Sequence, residues 1–269
     1  MRARHLIVLT ALSACAVARA DDAADDKRDF NYAIGLQLRN QPEYPGSDAR
    51  KTSVKPVWAL RWKRLRLSTG GGNMLMGFGS TVYGPGASAD LVKNDKLRVG
   101  IALRFDGGRN SNDAQATHGL ADVRRTLRGR LFASYALDED LQWSASLSPD
   151  LLGRGGGVVL STDLSKRLFR DAHSEWSVGT GISAGNGTQM RSYFGVRPED
   201  VQASGLPAFQ PGAGLKDVWA GVSYTRLLSR NWIMQATAGG SRQLGPAADS
   251  PLTVRPTAAG FSISLAYRR

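Results

Sequence analysis

Phe261-Ser262-Ile263-Ser264-Leu265-Ala266-Tyr267-Arg268-Arg269 alternates apolar and polar side chains almost to its last residue. Successive side chains on a strand point to opposite faces. Phe261, Ile263, Leu265 and Tyr267 therefore share one face, and Ser262, Ser264 and Arg268 the other. A lone half-buried strand reads the same way, so recurrence decides the fold. The pattern returns over 30–39, 53–62, 64–70, 73–82, 96–105, 127–136, 140–149, 156–168, 174–184, 215–228, 231–242 and 260–268. In the fifth stretch Leu97, Val99, Ile101, Leu103 and Phe105 oppose Lys96, Arg98 and Arg104; in the seventh Leu141, Trp143, Ala145 and Leu147 oppose Gln142, Ser144, Ser146 and Ser148.

The first residues set the compartment. Arg2 and Arg4 precede a mostly apolar run from Leu6 to Ala18, and Ala18-Arg19-Ala20 is an A-x-A site followed by Asp21-Asp22. This predicts a secretory signal peptide over 1–20, cleaved after Ala20, with a short periplasmic segment 21–29 and a barrel over 30–269. Cys15, the single cysteine, lies within that leader and also fits a lipoprotein signal; ordinary cleavage leaves no thiol for a disulfide or a metal. Removing Arg2, Arg4 and Arg19 lowers the formal charge of +12 by three. The remaining basic residues are interleaved with apolar ones along strands rather than gathered in a patch, so nucleic acid is not the expected partner.

Strands of about ten residues with a period of two are what a lipid-embedded barrel requires, and sandwich strands are usually shorter. The long connections 40–52, 106–126, 185–214 and 243–259 alternate with short ones at Lys63, 137–139, 169–173 and 229–230. Two connections break the rule: 83–95 reads as a long periplasmic segment and Gly71-Gly72 as a short outer one. Aromatic residues sit near strand ends, where amphipathic rings favour the membrane boundary. The expected fold is all-β: a closed antiparallel transmembrane β-barrel of about twelve strands with long extracellular loops, set in the bacterial outer membrane among lipid and lipopolysaccharide. The last strand should pair with 30–39.

Chemical motifs are sparse. Gly181-Ile182-Ser183-Ala184-Gly185 has the G-x-S-x-G form, but no helical pattern is read after it, so Ser183 is not expected to be a nucleophile. His118 and His173 lie far apart in connections, and the acids Asp106, Asp113, Asp122, Glu199 and Asp200 are read as solvated loop residues. No metal site, cofactor or catalytic residue is expected. Lys55, Arg61, Arg64, Arg66, Arg98, Arg104, Arg128 and Arg130 fall on the polar face, which a barrel carries inward. In an open lumen they would favour anions; in a closed one they would pair with Asp163 or with loop carboxylates.

Three loop motifs carry a family resemblance: Pro42-Glu43-Tyr44-Pro45-Gly46-Ser47-Asp48; Tyr193-Phe194-Gly195-Val196, continuing to Ser204-Gly205-Leu206-Pro207; and Leu244 to Ala248 followed by Asp249-Ser250-Pro251. In this order they resemble the MltA-interacting protein / OmpV family (MipA/OmpV) of outer-membrane proteins. The resemblance implies a non-enzymatic scaffold joining a lytic transglycosylase to a peptidoglycan synthase, a penicillin-binding protein, during wall remodelling. Other members are discussed as channels. A scaffold would need periplasmic contacts, above all from 83–95; a loop 185–214 folded into the barrel would make a plug and favour scaffold over channel. Members of the family end on an aromatic residue, whereas this chain ends Tyr267-Arg268-Arg269.

Overall fold

The alternation of Phe261–Tyr267 is realised in the strand that closes a barrel. The computed structural model describes residues 30–63, 65–69 and 86–269. Its strands are β1 (Phe30–Pro42), β2 (Arg50–Trp62), β3 (Leu65–Ser68), β4 (Gly86–Lys93), β5 (Leu97–Asp106), β6 (Thr126–Ala136), β7 (Leu141–Pro149), β8 (Val158–Arg170), β9 (Ser174–Gly185), β10 (Gly214–Leu227), β11 (Trp232–Gln243) and β12 (Thr257–Arg268). Each pairs antiparallel with its neighbour, and β12 returns to β1, so the sheet has no free edge. β12 pairs with β1, as the sequence predicts, in a register that runs from Ala33 opposite Arg268 to Asn40 opposite Phe261. Beyond it, Tyr32 and Arg269 exchange backbone hydrogen bonds of 2.8 and 2.9 Å.

The two faces separate as alternation requires. Ile34 (58 % exposed), Leu36, Ile101, Leu131, Leu160 and Ile263 point outward, while Ala33 (1 %), Ser134, Ser177, Ser223 and Ser264 are buried within the lumen. An exterior this apolar around a polar interior is the arrangement of a transmembrane barrel. Trp62, Tyr135, Trp143, Trp176 and Trp232 form an exposed aromatic girdle at the end of the short turns. There Tyr267 lies edge-on to Trp232, with ring centroids 5.8 Å apart. Toward the same end, Ala33, Val57, Ile233 and Ala266 pack an apolar cluster inside the barrel.

One connection departs from the sequence expectation. The segment 83–95 is not a long periplasmic connection, because residues 86–93 are β4, hydrogen-bonded to β3 and β5. Ala87 and Ala89 alternate with Ser88 and Asp90 there, so small outward side chains and an inward acid conceal the strand. A bulge between Asp90 and Val92 breaks the period as well. The turn after β4 is only Asn94–Lys96, so it joins the short turns at this end. The proposed strand 73–82, the Gly71-Gly72 connection, Arg64, Cys15, the leader 1–20 and the segment 21–29 lie outside the described residues.

Candidate functional site: a capped cationic chamber

β5 and β6 build the basic wall. Their register sets Arg104 opposite Arg128 and Ala102 opposite Arg130. With every second residue outward, the three guanidiniums fall on the inner face, where they line a cavity of about 180 Å³. Arg128 is fully engaged. Its Nε donates to Asp106 Oδ2 at 2.6 Å, and its two Nη atoms donate to the carbonyls of Ser148, Gly156 and Gly157 at 2.6–3.4 Å. Arg104 differs: its Nε is buried with no hydrogen-bond partner among the described residues.

The other basic candidates lie elsewhere. Arg98 donates to Asp90 at 2.7 Å and sits 5.8 Å from the Phe132 ring centroid, while Arg66 pairs with the same carboxylate. Arg61, near the short-turn end, donates to the Asn31 amide oxygen at 2.9 Å once that amide is oriented to satisfy its network. Lys55 lies on β2 opposite Gln37 and is not part of the chamber wall.

The facing wall comes from β8 to β11. A bulge in β10 between Leu215 and Asp217 brings the consecutive residues Lys216 and Asp217 both to the chamber, 2.9 Å apart as an ion pair. Ser183 Oγ donates to Asp217 Oδ1 at 2.6 Å. A helix does follow G-x-S-x-G after all: α1 (Gly187–Phe194) starts two residues beyond Gly185. Eight residues of mixed polarity make a helix too short to stand alone, which is why its periodicity does not declare it. Ser183 nevertheless sits within β9 rather than on the turn, and its partner is a carboxylate. His118 lies in the 107–125 connection and His173 in a short turn at the far end, so neither completes a triad with it. Trp219 lies over Gly181, where an added Cβ would sit 2.6 Å from the indole Nε1 and 2.8 Å from the Thr162 carbonyl oxygen. Glycine is required there for the ring to lie against the wall.

The cap draws the three loop motifs together. Asn186 caps α1 by accepting from Gln189 N at 3.0 Å. Met190 and Phe194 pack on Ala247, and Ser250 Oγ donates to the Phe194 carbonyl at 2.6 Å. Tyr193 OH donates to Asp106 Oδ2 at 3.1 Å, and Arg109 Nη1 donates to the Tyr193 carbonyl at 3.2 Å. Val196 packs with Leu120 and Leu252, joined by Leu206 and Phe209. Ser204 Oγ donates to the Asp200 carbonyl at 2.7 Å, with Gly205 left-handed at φ 70° as the next turn's cap and Pro207 exposed. From the first motif, Tyr44 and Pro45 reach the chamber, while Pro42 and Ser47 are buried and Asp48 is exposed. Gly46 takes φ 98° against Thr253 and accepts from Arg255 N at 2.9 Å. Pro251 follows Ser250 into the turn that places Leu252.

Two groups of residues correct the sequence reading. Asp106 and Asp200 are not solvated loop acids: Asp106 ends β5 and holds Arg128 and Tyr193, and Asp200 is buried, accepting from Arg197 at 2.9 Å and from Ala121 N at 3.2 Å. Asp122 is an exposed loop acid as read, and it accepts from Ser111 N at 2.7 Å. The chamber residues Gln189, Trp219 and Asp217 carry no motif; an indole on the polar face of β10 is the one signal that could have been followed. Among the described residues, no group of His, Cys, Asp and Glu side chains is arranged to hold a metal ion.

A sequence profile of the family described as MltA-interacting protein MipA matches residues 34–269. No curated protein matches the chain in sequence. Among solved structures the chain is similar to a KdgM porin, with 10 % identity over 87 % of this chain and 98 % of that one at a TM-score of 0.42. It is similar to a NanC porin at 9 % identity over 86 % and 98 %, TM-score 0.42. It is also similar to an outer membrane channel from Pseudomonas putida F1 at 14 % identity over 89 % and 94 %, TM-score 0.44.

Proposed function

The chain belongs to the MltA-interacting protein MipA family, and from that premise we propose an outer-membrane barrel that passes small anions through a narrow, capped lumen. The observation that carries this reading is the gathering of Arg104, Arg128 and Arg130 on one wall of the chamber. Low-dielectric walls concentrate the field of such a cluster, which raises the local concentration of anions over cations. Twelve strands suit a narrow passage, between the side-chain-filled barrel of eight and the open porin of sixteen or more. The long loops face outward from the cell and the short turns face the periplasm, the leader 1–20 having been removed at Ala20. Exchange through the lumen requires α1 and its neighbours to shift from the mouth. Folded protein in a planar bilayer under a KCl gradient should give a small conductance with a reversal potential set by chloride; a complete lack of current removes the reading.

The family description names an interaction with MltA, which favours a second reading as a scaffold for a lytic transglycosylase and a penicillin-binding protein. With 86–93 in β4, that contact surface moves to the rim of short turns, such as Asn94–Lys96 and Asp138–Asp140, and to the segment 21–29. Cross-linked capture of wall enzymes from cells that contain them tests it; capture of none rejects it.

A further inference from the structure

We propose that the chamber is a binding site for one small hydroxylated organic anion, of the sugar-acid class, with Arg104 receiving its carboxylate. The inference rests on the channel reading for its biological purpose and on the chamber alone for its chemistry. Native interiors leave few buried polar atoms without a partner. Here such atoms on residues that line one cavity include Arg104 Nε, Arg109 Nε, Tyr44 OH, Gln189 Oε1 and Asp163 Oδ2. The two guanidinium nitrogens donate, the Tyr44 hydroxyl can do either, and the Gln189 and Asp163 oxygens accept. A bare halide offers no donor and leaves Gln189 and Asp163 unmatched. A solute carrying both a carboxylate and hydroxyls matches both kinds.

Charge selects the anchor. Asp106 is committed to Arg128 and Tyr193, and Asp217 to Lys216 and Ser183. Arg128 spends its remaining donors on the carbonyls of Ser148, Gly156 and Gly157. Arg104 faces Arg128 across the β5–β6 ladder, and with Asp106 held by Arg128 and Tyr193 the pair carries net positive charge that an anion beside Arg104 would balance. A guanidinium presents its donors in a fixed fork that suits a carboxylate. Across the chamber, the Trp219 ring supplies an apolar face for the carbon side of a ring, and Ser161 and Ser241 line the same wall. The volume of about 180 Å³ lies below the ~300–1,000 Å³ of drug-sized pockets, which fits a single small solute rather than a chain.

The test is calorimetry on the mature chain folded in detergent, with glucuronate, glucose and acetate as probes. Each is measured on the native protein and on Ser250→Ala, whose loosened cap admits the probe if the native cap excludes it. Glucuronate should bind saturably, glucose not at all, and acetate far more weakly than glucuronate. Arg104→Gln should weaken glucuronate by about tenfold or more, the scale of one lost charge-assisted hydrogen bond, and Arg104→Lys should recover part of it. A melting curve for each variant separates this loss from misfolding. Absence of glucuronate binding to both the native and the Ser250→Ala proteins overturns the proposal. So does native-like binding by Arg104→Gln. Conductance is read separately: binding without current keeps the site and discards the channel, and current without binding does the reverse.

Discussion

Ser250 Oγ donates a 2.6 Å hydrogen bond to the carbonyl oxygen of Phe194, and its oxygen accepts from Leu252 N at 3.1 Å. One buried hydroxyl thus joins the helix over the mouth to a loop 56 positions further along the chain. Removing it in Ser250→Ala leaves a buried carbonyl and a buried N–H unpaired, at a cost of about 1–3 kcal/mol. The cost falls on the cap, because the barrel ladder is untouched. Limited proteolysis within 186–213 should accelerate by about tenfold or more while the far-ultraviolet spectrum stays that of a β-barrel. Unchanged cleavage would show that the cap is held by its apolar contacts alone.

Arg128 predicts the opposite balance from Arg104. Its donors reach Asp106 on its neighbouring strand and three carbonyls, Ser148, Gly156 and Gly157, around the 150–157 loop. Arg128→Gln cannot span that set, and the carbonyls and the Asp106 carboxylate lose a charge-assisted donor. Urea-induced unfolding in detergent should shift to lower midpoint by an amount worth about 2–4 kcal/mol, whereas Arg104→Gln, which relieves like-charge repulsion, should not lower it. Equal loss in both variants would contradict the division of labour between the two arginines.

The strands were legible because a barrel wall has one apolar face and one polar face, and that alternation is local. Phe261, Ile263 and Leu265 announce it directly. β4 escaped for a local reason too: Ala87 and Ala89 give too little apolar contrast, and the bulge at Leu91 breaks the period. The chamber was legible only in part. Alternation places Arg104 and Arg128 on the inner face, but the task of each is set by which carbonyls and carboxylates the loops bring to it. Those are contacts between segments far apart in sequence, and no periodicity encodes them. The same holds for Asp106 and Asp200, which look like solvated acids until Tyr193 and Ala121 are placed beside them.

The cap should respond to acid through Asp200. Its hydrogen bond from the Arg197 guanidinium holds the carboxyl below the ordinary carboxylate range, and Ala121 N adds to this. A carboxyl with a depressed folded-state pKa stabilises the folded cap above its unfolded value, and that contribution disappears as pH falls through the folded one. Proteolysis of the 107–125 and 186–213 loops should therefore rise on acidification below the ordinary carboxylate range. Asp200→Asn should be looser than the native protein at neutral pH and show a flatter response to acid. A native-like acid response in that variant would assign the effect to another group.

The lipid-facing assignment of the closing strand gives the sharpest test of the membrane reading. Ile263 is exposed on the outer face of β12, between Leu38 of β1 and Ala236 of β11 in register. Ser264, one residue on, is buried in the lumen opposite Gln37 and accepts from its amide at 3.1 Å. In lipid, Ile263→Arg places a charge on the hydrocarbon side and should cost about 2–4 kcal/mol if the residue lies near the bilayer midplane, falling toward zero near an interface. In detergent micelles, where the surroundings deform around a charge, the penalty should shrink. Ser264→Ala removes only a lumen hydroxyl and should cost about 1 kcal/mol in both media. Reversible unfolding in lipid vesicles and in micelles, compared for the two variants, reads the difference; an Ile263→Arg penalty no larger in vesicles than in micelles would mean that this face does not meet lipid.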